Sequence, residues 1–290
     1  MKKTACVFIL VFCFANTLFS QRFHIGIFGG LAAYNGDLTD KIFPKKVTNG
    51  ALGITANYEL TDNIMLRAGY TYAVVGGADR FSDDAELRAR NLSFETSISE
   101  FSLLGEYYLL NLYDNRFSPY IFAGLSLYHF NPYAYDSTAK IYLRPLGTEG
   151  QGLPGYADRE PYGLTQAALP FGAGVKFALT NNLHIGLEIG IRKLFTDYLD
   201  DVSTTYADPA DLLTGRGQLA VDMSYRGDEV GDPVYPGKGA QRGSSKHKDN
   251  FYFTGLHVTY RLGGNNSGRG LFGGGRKGNK NGIDCPVNVY

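Results

Sequence analysis

Leu183-His184-Ile185-Gly186-Leu187-Glu188-Ile189-Gly190-Ile191 alternates at every position. Leu183, Ile185, Leu187, Ile189 and Ile191 share one face, and His184, Gly186, Glu188 and Gly190 share the other. Side chains along a β-strand alternate with period two, so this stretch is a strand with one oily face and one small or polar face. The pattern returns near the end of the chain, where Leu256, Val258, Tyr260 and Leu262 oppose Gly255, His257, Thr259 and Arg261. It also runs through 52–60 and 64–74.

Such segments predict eight strands, roughly 23–34, 50–60, 64–77, 92–110, 118–131, 168–179, 183–196 and 250–262. Most reach the 9–11 residues or so that a tilted strand needs to cross a bilayer. Between them, short connections (61–63, 111–117, 180–182) alternate with long ones (35–49, 78–91, 132–167, 197–249). Outer-membrane barrels have short periplasmic turns and long extracellular loops, so both termini belong in the periplasm. The expected fold is therefore all-β, an eight-stranded antiparallel transmembrane β-barrel of the outer-membrane type.

A soluble sandwich would also alternate, but it would turn its polar face to water. Here that face carries Gly26, Gly53, Gly69, Gly172, Gly174, Gly186, Gly190 and Gly255, which suits a crowded interior. It also carries Glu59, Glu100, Glu106 and Glu188 with Arg67, Lys176, Arg192 and Arg261, four of each sign. Inside a narrow barrel those charges must neutralise one another, because burying them unpaired is costly. Eight strands enclose a space that side chains just fill, so no open diffusion pore is expected. Tyr58, Tyr70, Tyr72, Tyr107, Tyr252 and Tyr260 fall near strand ends, as an aromatic girdle would.

Residues 1–20 resemble a secretory signal peptide, with Lys2 and Lys3, an apolar run from Ala5 to Phe14, and the small Ser20. That run is too short to span a bilayer as a helix. The barrel is expected over 21–264. Its 26 basic residues against 28 acidic ones, counted without the signal and with the tail included, give no nucleic-acid signature. Residues 265–290 are rich in Gly and Asn, with Arg269, Arg276, Lys277 and Lys280 against Asp284, and are expected to form a disordered periplasmic tail.

Tests for chemistry are mostly negative. Gly268-Arg269-Gly270-Leu271-Phe272-Gly273 matches a dinucleotide fingerprint literally, but no helix or acidic residue follows at the required distance. There is no P-loop, HExxH or CxxC, and no cofactor is expected. Asp197, Asp200, Asp201, Asp208 and Asp211 fit no EF-hand spacing and are expected to be an acidic loop, solvated or interacting with a partner. Ser244, Ser245, His247 and Asp249 lie in a polar run expected to be mobile, unsuited to a nucleophilic site. His24, His184 and His257 face the interior singly and are expected to make hydrogen bonds there. Cys285, the one cysteine beyond the signal, is a candidate for an intermolecular disulfide.

Three stretches carry a family resemblance: Arg90-Asn91-Leu92-Ser93-Phe94, Leu143-Arg144-Pro145-Leu146-Gly147-Thr148-Glu149-Gly150-Gln151-Gly152, and Phe195-Thr196-Asp197-Tyr198-Leu199-Asp200-Asp201-Val202-Ser203. Together with Gly36-Asp37-Leu38 and the basic tail ending in Cys285-Pro286, they resemble the PorG-like outer-membrane barrels of Bacteroidota, whose namesake belongs to the type IX secretion system. The resemblance implies a non-enzymatic anchor in outer-membrane lipid that contacts a periplasmic lipoprotein and ring beneath it. Contact would run through Arg276, Lys277, Lys280 and Cys285, with a disulfide at Cys285. The alternative is a surface barrel that binds external ligands through loops 132–167 and 197–249.

Overall fold

The computed structural model describes residues 22–39, 47–232, 234–246 and 248–262. The signal segment and the tail, with Arg276, Lys277, Lys280 and Cys285, lie outside the described residues. Eight long strands form a closed antiparallel barrel: β1 Phe23–Asn35, β2 Asn49–Glu59, β3 Ile64–Ala78, β4 Ser93–Tyr108, β5 Phe117–His129, β8 Thr165–Ala178, β9 Leu183–Leu194 and β10 Asn250–Arg261. Neighbours in sequence pair in register all round, β1 with β10 closes one seam, and β3 with β4 closes the circuit from Ile64↔Tyr107 to Ala78↔Ser93. Closure leaves no ladder edge facing lipid, which a bilayer would not tolerate.

The distribution of exposure is inverted relative to a soluble protein. Leu52 is 72 % exposed and Leu125 67 %, and Ile27, Phe101, Leu103, Ile121, Leu187 and Leu256 are also open. Lys176 and Glu100 are fully buried. An apolar exterior around a charged interior is stable in hydrocarbon and not in water. Tyr58, Tyr107 and Tyr260 ring the short-turn end, with Tyr107 and Tyr260 about half exposed. Tyr70 and Tyr72 lie further along β3, but Tyr252 departs from the expected girdle, being only 8 % exposed.

The long connections hold more order than their polarity implied. The 132–167 loop contains a hairpin, β6 Tyr133–Asp136 and β7 Ala139–Tyr142, which continues the sheet from the outer end of β4 through Glu95↔Tyr133. Three short helices follow, the first two capped by an aspartate and the third without a side-chain cap. In α1, Ala85–Arg90, Asp84 accepts from the Glu86 amide, and Asn91 ends the helix with φ 55°. In α2, Pro209–Arg216, Asp208 caps the Ala210 amide with Pro209 at the first position, and α3 is Gln218–Ser224. Leu38, Leu143, Leu199, Val202 and Met223 from these connections join Tyr34, Phe94, Tyr128 and Phe251 of the strands in one apolar core, so the long loops close over the barrel mouth.

Candidate functional site: a plugged barrel under an acidic cap

Glycines on the inner face create room for the plug. A Cβ at Gly172 would lie 2.2 Å from the Ile189 carbonyl oxygen and 2.6 Å from the Phe122 ring, and one at Gly174 would lie 2.7 Å from Tyr120. The missing side chains let Tyr120 and Phe122 lie across the lumen. Against these rings Arg67 reaches both Glu106 (2.9 Å) and Glu188 (2.8 Å), with its guanidinium 5.0 Å from the Phe122 centroid. Lys176 approaches Glu106 at 3.4 Å and donates to the Tyr108 hydroxyl, which donates in turn to Glu106. Tyr120 donates to Glu188 at 2.6 Å. The central cluster thus holds two cations and two anions.

The remaining interior charges pair above and below it. Arg192 meets Glu100 at 3.3 Å and stacks over Phe253 at 4.1 Å. Toward the short-turn end Glu59 takes Arg261 at 3.7 Å, His24 at 2.8 Å and Tyr113 at 2.6 Å. All eight charged residues singled out on the inner faces therefore lie in ion pairs. Two of the three histidines hydrogen-bond as expected, His24 to Glu59 and His257 to Thr55 at 2.8 Å, whereas the buried His184 Nδ1 has no partner among the described residues. Nor do they stand singly, since the His24 and His184 rings sit 5.8 Å apart.

Above the plug, the stretches 90–94, 143–152 and 195–203 converge on one buried network. Arg90 grips Asp79 through two 2.7 Å bonds and donates to the Arg242 carbonyl. Arg242 donates to Glu149 at 3.0 Å and to the Asp201 carbonyl at 2.6 Å. Glu149 also accepts from the Ser203 amide (2.9 Å) and the Thr204 hydroxyl (2.6 Å), tying 143–152 to 195–203. Asp201 accepts from Thr148 and Tyr162, each at 2.6 Å, from a backbone in the left-handed region, φ 67°. That conformation is costly for a residue with a Cβ, and these partners hold it in place. Gly150, at φ 85°, lets the chain pass the Tyr156 ring, which a Cβ would meet at 2.9 Å.

The aspartates are therefore not a solvated loop. Asp197, Asp200 and Asp201 are buried, Asp208 caps α2, and Asp211 is the exposed one that accepts from Tyr156 at 2.9 Å. Burial pushes the Asp201 carboxyl up to about 6 despite nearby Arg242, and raises Asp197 to about 7. The run 244–249 is tied down as well: the Ser244 amide donates to Asp37 at 2.9 Å and buried Asp249 accepts from the Leu199 amide at 2.9 Å, while His247 lies outside the described residues. Composition alone missed this because polarity does not distinguish a solvated carboxylate from a hydrogen-bonded one. Sequence reasoning also left Asp79 and Arg242 unread; no local pattern marks them.

Fold and site together define a β-barrel of the outer-membrane type with a filled lumen and a folded cap over the long-loop end. The chain belongs to the family described as "Domain of unknown function (DUF6089)", whose model matches residues 3–216. No curated protein matches it. Similar solved structures include neisserial surface protein A at 10 % identity and TM-score 0.41, covering 83 % of this chain and 97 % of that one. Ail, the attachment invasion locus protein of Yersinia pestis, in complex with sucrose octasulfate, is 10 % identical with TM-score 0.40 over 83 % of this chain and 98 % of that one. OprG from Pseudomonas aeruginosa is 13 % identical with TM-score 0.39 over 83 % and 98 %.

Proposed function

We propose that this chain is a structural component of a protein secretion apparatus, a PorG-like barrel of the type IX system, which anchors a periplasmic ring complex to the outer membrane. The observation that carries this reading is the filled lumen: Arg67, Glu106, Lys176 and Glu188, with Tyr108, Tyr120 and Phe122, occupy the space a solute would need. A barrel without a path works through its surfaces. The resemblance at 90–94, 143–152 and 195–203 supports the family side of the argument, since those stretches meet in one network. No catalytic role is proposed. The contact with a lipoprotein of the ring is assigned to the tail, through Arg276, Lys277 and Lys280 and by a disulfide at Cys285.

Deleting 265–290 should leave a folded barrel in the outer membrane and stop cargo export, measured as secreted protein in the medium. Cys285→Ser alone separates a covalent anchor from an ionic one. Normal export by the truncated chain would remove the proposal. One feature favours a second reading, ligand binding at the surface: hairpin β6–β7 presents Tyr135 and Tyr142 to solvent beside a cleft of about 600 Å³ lined by Arg80, Glu95 and Tyr133. Loss of surface binding with export intact, on removing that hairpin, would favour it.

A further inference from the structure

The cap buries more negative charge than its cations can meet. Asp79, Glu149, Asp197, Asp200, Asp201 and Asp249 are buried, against Arg90, Arg226 and Arg242. Arg90 is taken by Asp79, Arg226 by exposed Glu229, and Arg242 by Glu149, with Asp201 second at 3.9 Å. Asp197, Asp200 and Asp249 have no such partner among the described residues. Their surroundings do not supply one: Asp37 and Glu149 face Asp197 with only exposed Lys248 opposite them, Asp37 and Asp249 face Asp200, and Asp37 and Asp197 face Asp249. Asp201 is faced by Glu149, Arg242 and Tyr162, with Arg144 behind that ring.

Hydrogen-bond arithmetic shows what fills the deficit. The Tyr34 hydroxyl donates its one hydrogen to Asp200, and Asp249 Oδ1 lies 3.2 Å from the same oxygen. With one hydrogen, the hydroxyl cannot donate fully to both carboxylates; both contacts are full bonds only where one of the two, Asp200 or Asp249, carries a proton and donates it back. Two more atoms await a partner in the same place: Asp197 Oδ1 and the fully buried Tyr128 hydroxyl, which sits in the fields of Asp249 and Glu100, have none among the described residues. No three His, Cys, Asp or Glu among the described residues come together as a metal site.

We propose that the cap is a proton-latched lid, in which carboxyl protons held by Asp197, Asp200 and Asp249 fasten the 195–206 segment to the barrel mouth at Tyr34, and their loss releases it. Two bonds tie the segment down, from the Leu199 amide to Asp249 at 2.9 Å and from the Tyr34 hydroxyl to Asp200. The Val202 amide closes a local turn on Asp200 at 2.9 Å and reports whether the segment stays ordered. Loss of the protons works against these bonds through the repulsion of carboxylates shut away from water. Burial raises all three carboxyls, Asp197 to about 7 and the other two well above the usual range. A folded-state value above the unfolded one means that the folded cap holds more protons; its stability is full in acid and falls as pH climbs toward 7. Asp197 ionises first, and repulsion from Asp37 and Glu149 then strains the segment.

The test is hydrogen exchange on the full chain in detergent micelles with a chelator present, at about pH 5.5 and about pH 8.5, corrected for intrinsic rates. Amides of Leu199 and Val202 should lose roughly tenfold protection at the higher pH while the barrel strands keep theirs. Asp249→Asn, which donates without a titratable proton, should stay protected at both. Equal wild-type protection at the two pH values would overturn the proposal whether or not the variant folds. Protection restored at the higher pH by calcium alone would also overturn it, in favour of a bound cation.

Discussion

Arg67 shows how much one side chain can carry in this interior. It is buried and faces two carboxylates at once, Glu106 and Glu188, each buried too. Removing one partner of a buried pair leaves the others uncompensated, which costs about 3–5 kcal/mol. Arg67→Met should therefore lower the denaturant midpoint of the barrel, followed by the heat-sensitive shift in gel mobility of folded barrels. Adding Glu188→Gln to that variant should recover part of the loss, because one orphaned charge is then gone. A double variant no more stable than the single one would show that Glu188 does not depend on Arg67.

At the scale of the element, β8 and β9 cross where both strands have given up side chains. Gly172 pairs with Gly190, and a Cβ on either would meet Phe122 within 3 Å. Gly172→Val adds bulk against the Ile189 carbonyl, on a strand whose backbone cannot move without breaking its ladder; overpacking of this kind costs about 1–3 kcal/mol. The variant should refold into micelles at a lower yield, and pairing it with Phe122→Ala should restore only part of that yield, because the ring contact is relieved while the backbone contact with Ile189 stays. The inner-face glycines were legible in the sequence as a set. Which ring each accommodates was not, since Phe122 is some 50 residues away on a strand that is not next to β9.

The whole molecule is a sealed cylinder. Among the described residues the ionic plug, the apolar core beneath the loops and the cap above fill the lumen and one mouth, so the purified chain in planar bilayers should give none of the stable conductance steps of an open porin. Sustained channel currents from the wild-type protein would contradict the plugged lumen. The apolar belt carries a matching requirement: the same chain should stay monodisperse only in detergent or lipid.

The number of barrel strands, their faces and their order follow from the sequence alone, because a period of two and the length of a connection are local properties of a chain. Which interior charge meets which, as Arg67 meets Glu188 across 121 residues, does not. The cap is different. Tyr34 meets Asp200 across 166 residues and Arg242 meets Glu149 across 93, and nothing near any of the four announces the other. Only closure of the barrel brings those loops to one mouth, where exclusion of water turns five scattered aspartates into three buried acids, a helix cap and one surface acceptor.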